Sequence, residues 1–449
     1  MVEKVSEIKA NLEAHLITEH SGAVSKNLIT FDPDRIHHIG RQGLATHQFS
    51  MDKFSSDQDF DHYDLVCLSH LRWDFVYQRP QHLLGRAAGH GRIFFVEEPI
   101  MGEGPLRLDV SAREEGVTVV VPHIPHWMAN DADLIDCQNL MIDELLRENG
   151  ISKFVLWYYT PMALKFSRHL QPLAVVYDCM DELSAFKDAP GELKLLESEL
   201  FHRADLVFTG GQSLYEAKCK QHESVYAFPS AIDATHFMRA RVVATTPDDQ
   251  KAIPEPRIGF FGVIDERFDI DLLASAADLA PELQFVVIGP VVKIDEDDLP
   301  KRSNIHYLGP KSYKELPEYL AGWKVAILPF ARNESTRFIS PTKTPEYLAA
   351  GCPVVSTSIR DVVRPYGQKG LVHIADTPEL FVTAIKTVIA ADNPARLMVV
   401  DAFLKEMSWD LTWSQMKSLI DEAVAKRLDS YEQVEPKSER LRAIASAAH

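Results

Sequence analysis

Several things are scarce in this chain of 449 residues. Its five cysteines (Cys67, Cys137, Cys179, Cys219, Cys352) are odd in number, widely spaced and without a CxxC pair. That excludes a disulfide scaffold and argues against a zinc site, so reduced, cytoplasmic thiols are expected. Cations are outnumbered, 47 Lys and Arg against 65 Asp and Glu, for a formal charge of −18. Neither bulk nucleic-acid binding nor an electrostatic grip on anionic lipid fits that balance, although a local basic pocket for a small anion does. No run of about 18 apolar residues occurs, which excludes a membrane-spanning helix. The opening "MVEKVSEIKANLEAHLITEH" is charged throughout, so no export signal is expected. No internal repeat of about 20 to 50 residues is visible. What is present is an ordinary globular balance, 46 % apolar and 25 % charged, in a chain long enough for two domains.

Val2, Val5, Ile8, Leu12 and Leu16 recur at helical spacing and predict an amphipathic opening segment, suited to pack on the body, a partner or a membrane surface. Residues from about 20 to 62 are polar and without period, and read as an irregular extension; residues 1–61 together form an N-terminal extension. From "YDLVCLSH" onward, short apolar runs alternate with helical stretches. Strands are expected at Asp64 to Ser69, Ile93 to Val96, Val117 to Val121, Val155 to Tyr158, Ala174 to Tyr177, Leu206 to Thr209 and Val225 to Phe228. The polar stretch 239–256 reads as a linker, after which "RIGFFG", "LQFVVIG", "NIHYLG", "KVAILPF", "CPVVST" and "GLVHIA" repeat the rhythm. Such alternation predicts parallel strands with crossover helices, hence two doubly wound α/β units at 62–238 and 257–404. A closing helix at 405–428 and a tail at 429–449 follow. Ligands of open α/β sheets sit beyond the carboxyl ends of the strands, so the cleft between the units is the expected site.

Within "SPTKTPEYLAAGCPVVST" (340–357), Pro345 can open a helix capped by Thr344, or the helix can start at Ser340 with Pro341 first. Either way Lys343 stands at the positive end of a helix that follows a strand, where a phosphate is favoured. Glu346, about one turn on, can accept both hydroxyls of a ribose. A solvated lysine and a helix-start glutamate are the plain alternative. Arg267, after the Gly259 and Gly262 turn, is a second cation for a phosphate, or a surface partner of Glu266 or Asp269. The loop "FARNESTRFIS" adds Asn333, Glu334 and Arg337 at a strand end, where ligand groups are usually carried. The GxGxxG fingerprint is incomplete, which disfavours a dinucleotide-dependent dehydrogenase.

The segments "PFARNESTRFISPTKTPEYLAAGCPVVST", "GFFGVIDERFDIDLL", "FPSAID", "WDFVYQRPQHLL" and "VYDCMDELSAF" together resemble the GT-B glycosyltransferases, close to bacterial glycosyltransferase family 4, over residues 62 to 428. The resemblance implies two Rossmann-like domains facing across a cleft, the second holding a nucleotide sugar and the first an acceptor. Glu346 is similar to the family glutamate on the donor ribose. Arg267 and Lys343 resemble the cations on the diphosphate, assisted by backbone N–H groups near Thr342, and Gly309 resembles the loop at the nucleobase; Gly262 and Arg337 are further candidates for donor binding. "FPSAID", with Asp233, is similar to the turn ending the first domain, and "SWDLTW" to the start of the returning helix. Two departures stand out. The first of the family's two glutamates would fall at Phe338, leaving Glu334 as the nearest acid. The usual glycine-rich turn after the first strand is replaced by "SHLRWDFVYQRPQHLL", which offers His70, Arg72 or Gln78 to the donor or else shapes the acceptor site.

The implied activity is transfer of a sugar from a nucleoside-diphosphate sugar, UDP-linked by preference, to a glycan or lipid-linked saccharide in cell-surface or exopolysaccharide synthesis. Retention of configuration is expected. No cofactor or metal is called for: there is no DxD-like signal, and His123 and His126 lack a third ligand. Candidates for an acceptor base are Asp178, Asp181 and Glu182 at one strand end, and His70 and Asp74 at another; helix capping and a strand-end histidine are the plain alternatives. Trp73, Phe75, Trp157 and Tyr159 either stack on a sugar or belong to the core. A noncatalytic sugar-nucleotide-binding subunit, or an epimerase or hydrolase using the same cleft, is the competing reading. Any peripheral membrane or homo-oligomer contact is expected through the N-terminal extension of an otherwise cytoplasmic protein.

Overall fold

The computed structural model describes residues 26–31, 62–243, 245–391 and 395–446. The amphipathic opening segment lies outside them. Ten strands build the first sheet: β1 (Lys26–Thr30), β2 (Asp64–Leu68), β3 (Ile93–Val96), β4 (Ile100–Gly102), β5 (Arg107–Ala112), β6 (Val117–Pro125), β7 (Phe154–Tyr158), β8 (Ala174–Cys179), β9 (Leu206–Thr209) and β10 (Val225–Ala227). Their order is β1-β5-β6-β3-β2-β7-β8-β9-β10, with β4 beside β6. Everything from β6 to β10 is parallel. Segments such as "IFFV" and "FVLWY" are buried at every position, which is why they read as unbroken apolar runs: crossover helices cover both faces of a parallel sheet.

Strands β5 and β1 depart from expectation. They add an antiparallel edge, β5 on β6 and β1 on β5. The "RLDVSA" segment buries alternate residues and turns back at Gly116 into β6. Part of the supposedly irregular extension is thereby a sheet strand.

The second sheet is wholly parallel: β11 (Arg257–Phe261), β12 (Gln284–Ile288), β13 (Ile305–Tyr307), β14 (Val325–Leu328), β15 (Val354–Ser356) and β16 (Val372–Ile374), in the order β13-β12-β11-β14-β15-β16. Chain order reverses between β11 and β14, the position where doubly wound sheets open a crevice at their carboxyl ends. The stretch 239–256 is docked on this unit: Gln250 is buried, donating to the Tyr319 carbonyl (3.0 Å) and accepting from Trp323 Nε1 (2.7 Å).

The long helix Trp409–Ser446 returns to the first sheet and buries Trp409, Trp413, Met416, Ile420 and Val424 against Trp157, Phe208 and Leu84. Where the chain crosses between units, Ile232 bridges Ser408, so the two crossings run side by side. Among the described residues no helix is long and apolar enough to cross a membrane.

Candidate functional site

The "SPTKTPEYLAAGCP" stretch forms the helix Lys343–Ala349, with Thr342 at its N-cap. The observed start lies between the two read from sequence. Pro345 falls in the first turn, where backbone N–H groups have no helical partner anyway, so its missing donor costs nothing. The helix stops because Gly351 takes φ +90°, letting its N–H reach Leu348 O (3.0 Å) and that of Cys352 reach Tyr347 O (3.0 Å). Tyr347 fixes the helix to β11 by accepting from Phe261 N (2.9 Å).

Lys343, on the first turn, lies across Gly262, the residue after β11. A Cβ built on Gly262 would stand 1.9 Å from Lys343 Cε, and Gly262 has φ +142°. Beside it Gly262 N donates to Ile288 O (2.8 Å) and Gly289 N to Gly309 O (2.9 Å), so the carboxyl ends of β11, β12 and β13 make a floor of three glycines. Thr342, Gly262 and Gly309 are thus placed together with Lys343.

Arg267 follows on the same loop. Asp265, itself buried, grips its guanidinium from Nε (3.0 Å to both oxygens) and a terminal nitrogen (2.6 Å). Burial opposes the Arg267 charge, but this bidentate partner raises its pKa further. Lys343 is shifted the other way: burial lowers its pKa, Glu346 opposes the shift and Arg267 adds to it. The two cations therefore act on one another. Glu346, buried, is pushed up to about 7 by loss of solvation, with Lys343 pulling back. Among the described residues no carboxylate lies within ion-pairing distance of Lys343.

The first unit meets this group from across the cleft. Asp181 has its pKa raised by burial and lowered by Arg267, with smaller influences of Asp265, Arg79 and Lys343, so it faces the cluster. Arg267 (5.3 Å) and Lys293 (5.0 Å) both stand over the ring of Phe186. Asp361 accepts from Ser213 N (3.0 Å), and Ser230 Oγ donates to Ser340 O (2.9 Å).

Other expected site residues are placed elsewhere. Asp178 is fully buried and held by Arg79 through Nε (3.1 and 3.0 Å) and a terminal nitrogen (2.9 Å), with Arg79 also on the Phe228 carbonyl. An engaged carboxylate without solvent access takes no proton from a substrate. Glu334 and Arg337 are exposed, 77 % and 61 % at the side chain, and pair with each other at 3.4 Å. Phe338, standing where the first family glutamate would fall, is half-buried and packs against the apolar cluster of the first unit. Arg72 binds Glu97 (3.0 Å), Gln78 caps the helix Arg79–Ala87, and Asp74 pairs with Arg113 (2.7 Å), so these three serve the fold. Trp73, Trp157 and Tyr159 are core. His70 ends the β2 strand with Nδ1 buried. Asp265, Phe186 and Asp361 were not found by sequence reasoning; of these only Asp265 carried a local signal, an acid two residues before a cation.

Two facing parallel α/β units, with a cation-bearing glycine floor at the carboxyl ends of the second, define the GT-B fold. Residues 255–391 match the family model described as Glycosyl transferases group 1. Over 300 residues, 61 % of this chain and 72 % of the relative, the sequence is 25 % identical to a Bacillus subtilis (strain 168) protein described as a teichuronic acid biosynthesis glycosyltransferase, TuaH. Among solved structures the fold is similar to sucrose-phosphate synthase from Thermosynechococcus elongatus (TM-score 0.59, 15 % identity, 81 % of this chain and 100 % of that one). It is similar also to Anabaena Alr3699/HepE in complex with UDP and glucose (TM-score 0.57, 14 % identity, 80 % and 99 %). The chain is a glycosyltransferase of the GT-B type.

Proposed function

We propose that the protein transfers a sugar from a nucleoside-diphosphate sugar, UDP-linked by preference, to a glycan or lipid-linked saccharide, with retention, in the synthesis of a cell-surface or exopolysaccharide. The observation that carries this is the pair Arg267 and Lys343, one cation from the loop after β11 and one from the first turn of a helix, converging at the Gly262 floor beside buried Glu346. Departure of a nucleoside diphosphate builds negative charge on its phosphates, and preplaced cations stabilise that charge, one well-placed donor being worth roughly 3 to 4 kcal/mol. Arg267 and Lys343 fill this role, and Glu346 receives the ribose hydroxyls. Asp181, facing the cluster from the first unit with a raised pKa, is the carboxylate suited to accept the proton of an acceptor hydroxyl. Charge neutralisation by two side chains calls for no metal.

Support for the donor comes from the relatives: Alr3699/HepE is described with UDP and glucose, and an E. coli trehalose-6-phosphate protein, similar at TM-score 0.57 and 11 % identity over 80 % of this chain and 99 % of that one, with UDP-2-fluoro glucose. Support for the acceptor class comes from the cell-wall polymer in the description of the TuaH relative. Retention follows the resemblance to the family. Thermal denaturation with UDP, GDP, ADP and TDP tests the reading, because a ligand bound only by the native state raises apparent stability. A rise with one of them that is lost in Lys343→Ala is expected; no rise with any contradicts the reading.

A further inference from the structure

Among the described residues, the apolar clusters of the two units leave Phe186 out. The side chain is half-buried, and its ring meets two cations of the second unit instead. Arg267 Cζ stands over the ring 5.3 Å from its centroid and Lys293 Nζ 5.0 Å from it, so the two cations are no more than about 10 Å apart. The face of an aromatic ring is its negative part and attracts both. Like charges so near one another also repel, and an anion beside them relieves that repulsion.

The loop that carries the ring is anchored to the body of the first unit. Glu182 accepts from Ser184 Oγ (2.8 Å) and from Lys218 Nζ (2.8 Å), and Lys218, buried, is held in turn by Glu197 (2.7 Å). Backbone strain gathers at the same contact. The non-glycine residues with left-handed backbone among those described are Asp188 (φ +62°), two positions after Phe186, and Lys293 itself (φ +64°). Unfavourable backbone persists where the surroundings impose it, and it concentrates at binding sites and switches.

Arg267 is thereby held from both units. Asp265 takes its Nε and one terminal nitrogen, and the Phe186 ring lies against the guanidinium carbon. The other terminal nitrogen, Nη1, has no hydrogen-bond partner among the described residues. A planar fork fixed along one edge and against a ring presents its remaining edge in one direction. We propose that Phe186 is a positioning residue for Arg267, holding the guanidinium so that Nη1 meets the donor diphosphate. That role rests on Arg267 being a diphosphate ligand. Because Phe186 belongs to the first unit and Arg267 to the second, the grip on the leaving group is complete only with the two units together.

Phe186→Leu and Phe186→Met keep apolar bulk and remove the ring, whereas Phe186→Tyr keeps the ring. Calorimetric titration uses whichever of UDP, GDP and ADP stabilises the wild type most, with circular dichroism confirming that each variant is folded. The two variants without a ring are expected to bind about threefold to tenfold more weakly, and Phe186→Tyr to bind within about twofold of wild type. In an Arg267→Ala background, removing the ring is expected to change affinity by less than about twofold, because the ring acts through the arginine. Wild-type affinity in the variants without a ring, the same loss with and without Arg267, or an equal loss in Phe186→Tyr overturns the inference. Arg267→Ala separates the two failures: unchanged affinity there overturns the diphosphate reading and the inference with it, whereas weakened binding with an unaffected Phe186→Leu overturns the inference alone. Failure of every nucleotide to bind wild type overturns both.

Discussion

Lys343 passes directly over Gly262, so closely that a methyl group on the glycine would sit 1.9 Å from Cε of the lysine. The absence of a side chain at one position is what allows the cation at the other to reach the strand ends. Gly262→Ala is therefore expected to displace Lys343 and to strain a backbone at φ +142°, a cost of about 1 to 3 kcal/mol. Nucleotide titration checks this: affinity falls along with the melting temperature, and a variant that binds as wild type contradicts the arrangement.

Glu346 makes stability depend on pH. Its folded pKa of about 7 lies above the ordinary 4.5, so the native state keeps a proton that the unfolded chain gives up. The contribution is fully present below pH 4.5 and is lost as pH rises through 7. Relative to Glu346→Gln, the wild type is expected to lose about 3 kcal/mol between those limits, read from denaturant unfolding at a series of pH values. A constant difference between the two proteins contradicts it.

Asp178 and Asp181 are three residues apart and are expected to fail differently. Asp178→Asn leaves Arg79 buried without its full partner and costs roughly 3 to 5 kcal/mol of stability. Asp181→Asn is expected to lower turnover with little change in melting temperature. Thermal melts and initial rates on both variants separate the roles, and a stable, slow Asp178→Asn exchanges them.

With the proposed roles of Arg267 and Lys343 on the departing diphosphate, transfer is expected to persist when divalent cations are chelated. Rates measured in excess EDTA check this; activity restored only by added magnesium contradicts it.

The parallel strands were legible because burial on both faces leaves unbroken apolar runs, "IFFV" and "QFVVI" among them. Edge strand β1 and its neighbour β5 were not, since a strand with partly exposed residues such as Arg107 and Asp109 looks like a loop. Lys343, Arg267 and Glu346 could be picked out by their place after strands, and the structure brings them together. Asp178 misled because a strand-end acid reads alike whether it faces a cleft or a buried arginine 99 residues earlier in the chain. Phe186 carried no signal: its partners Arg267 and Lys293 are distant in sequence and joined to it only by the meeting of the two units.

The most direct test of the central claim is the dissociation constant of UDP for Lys343→Ala and Arg267→Ala, with circular dichroism confirming that each is folded. Each lost charge-assisted contact is expected to weaken binding about tenfold or more, and the loss to shrink at high salt. Two folded variants that hold UDP as tightly as the wild type would show that the phosphates are gripped elsewhere.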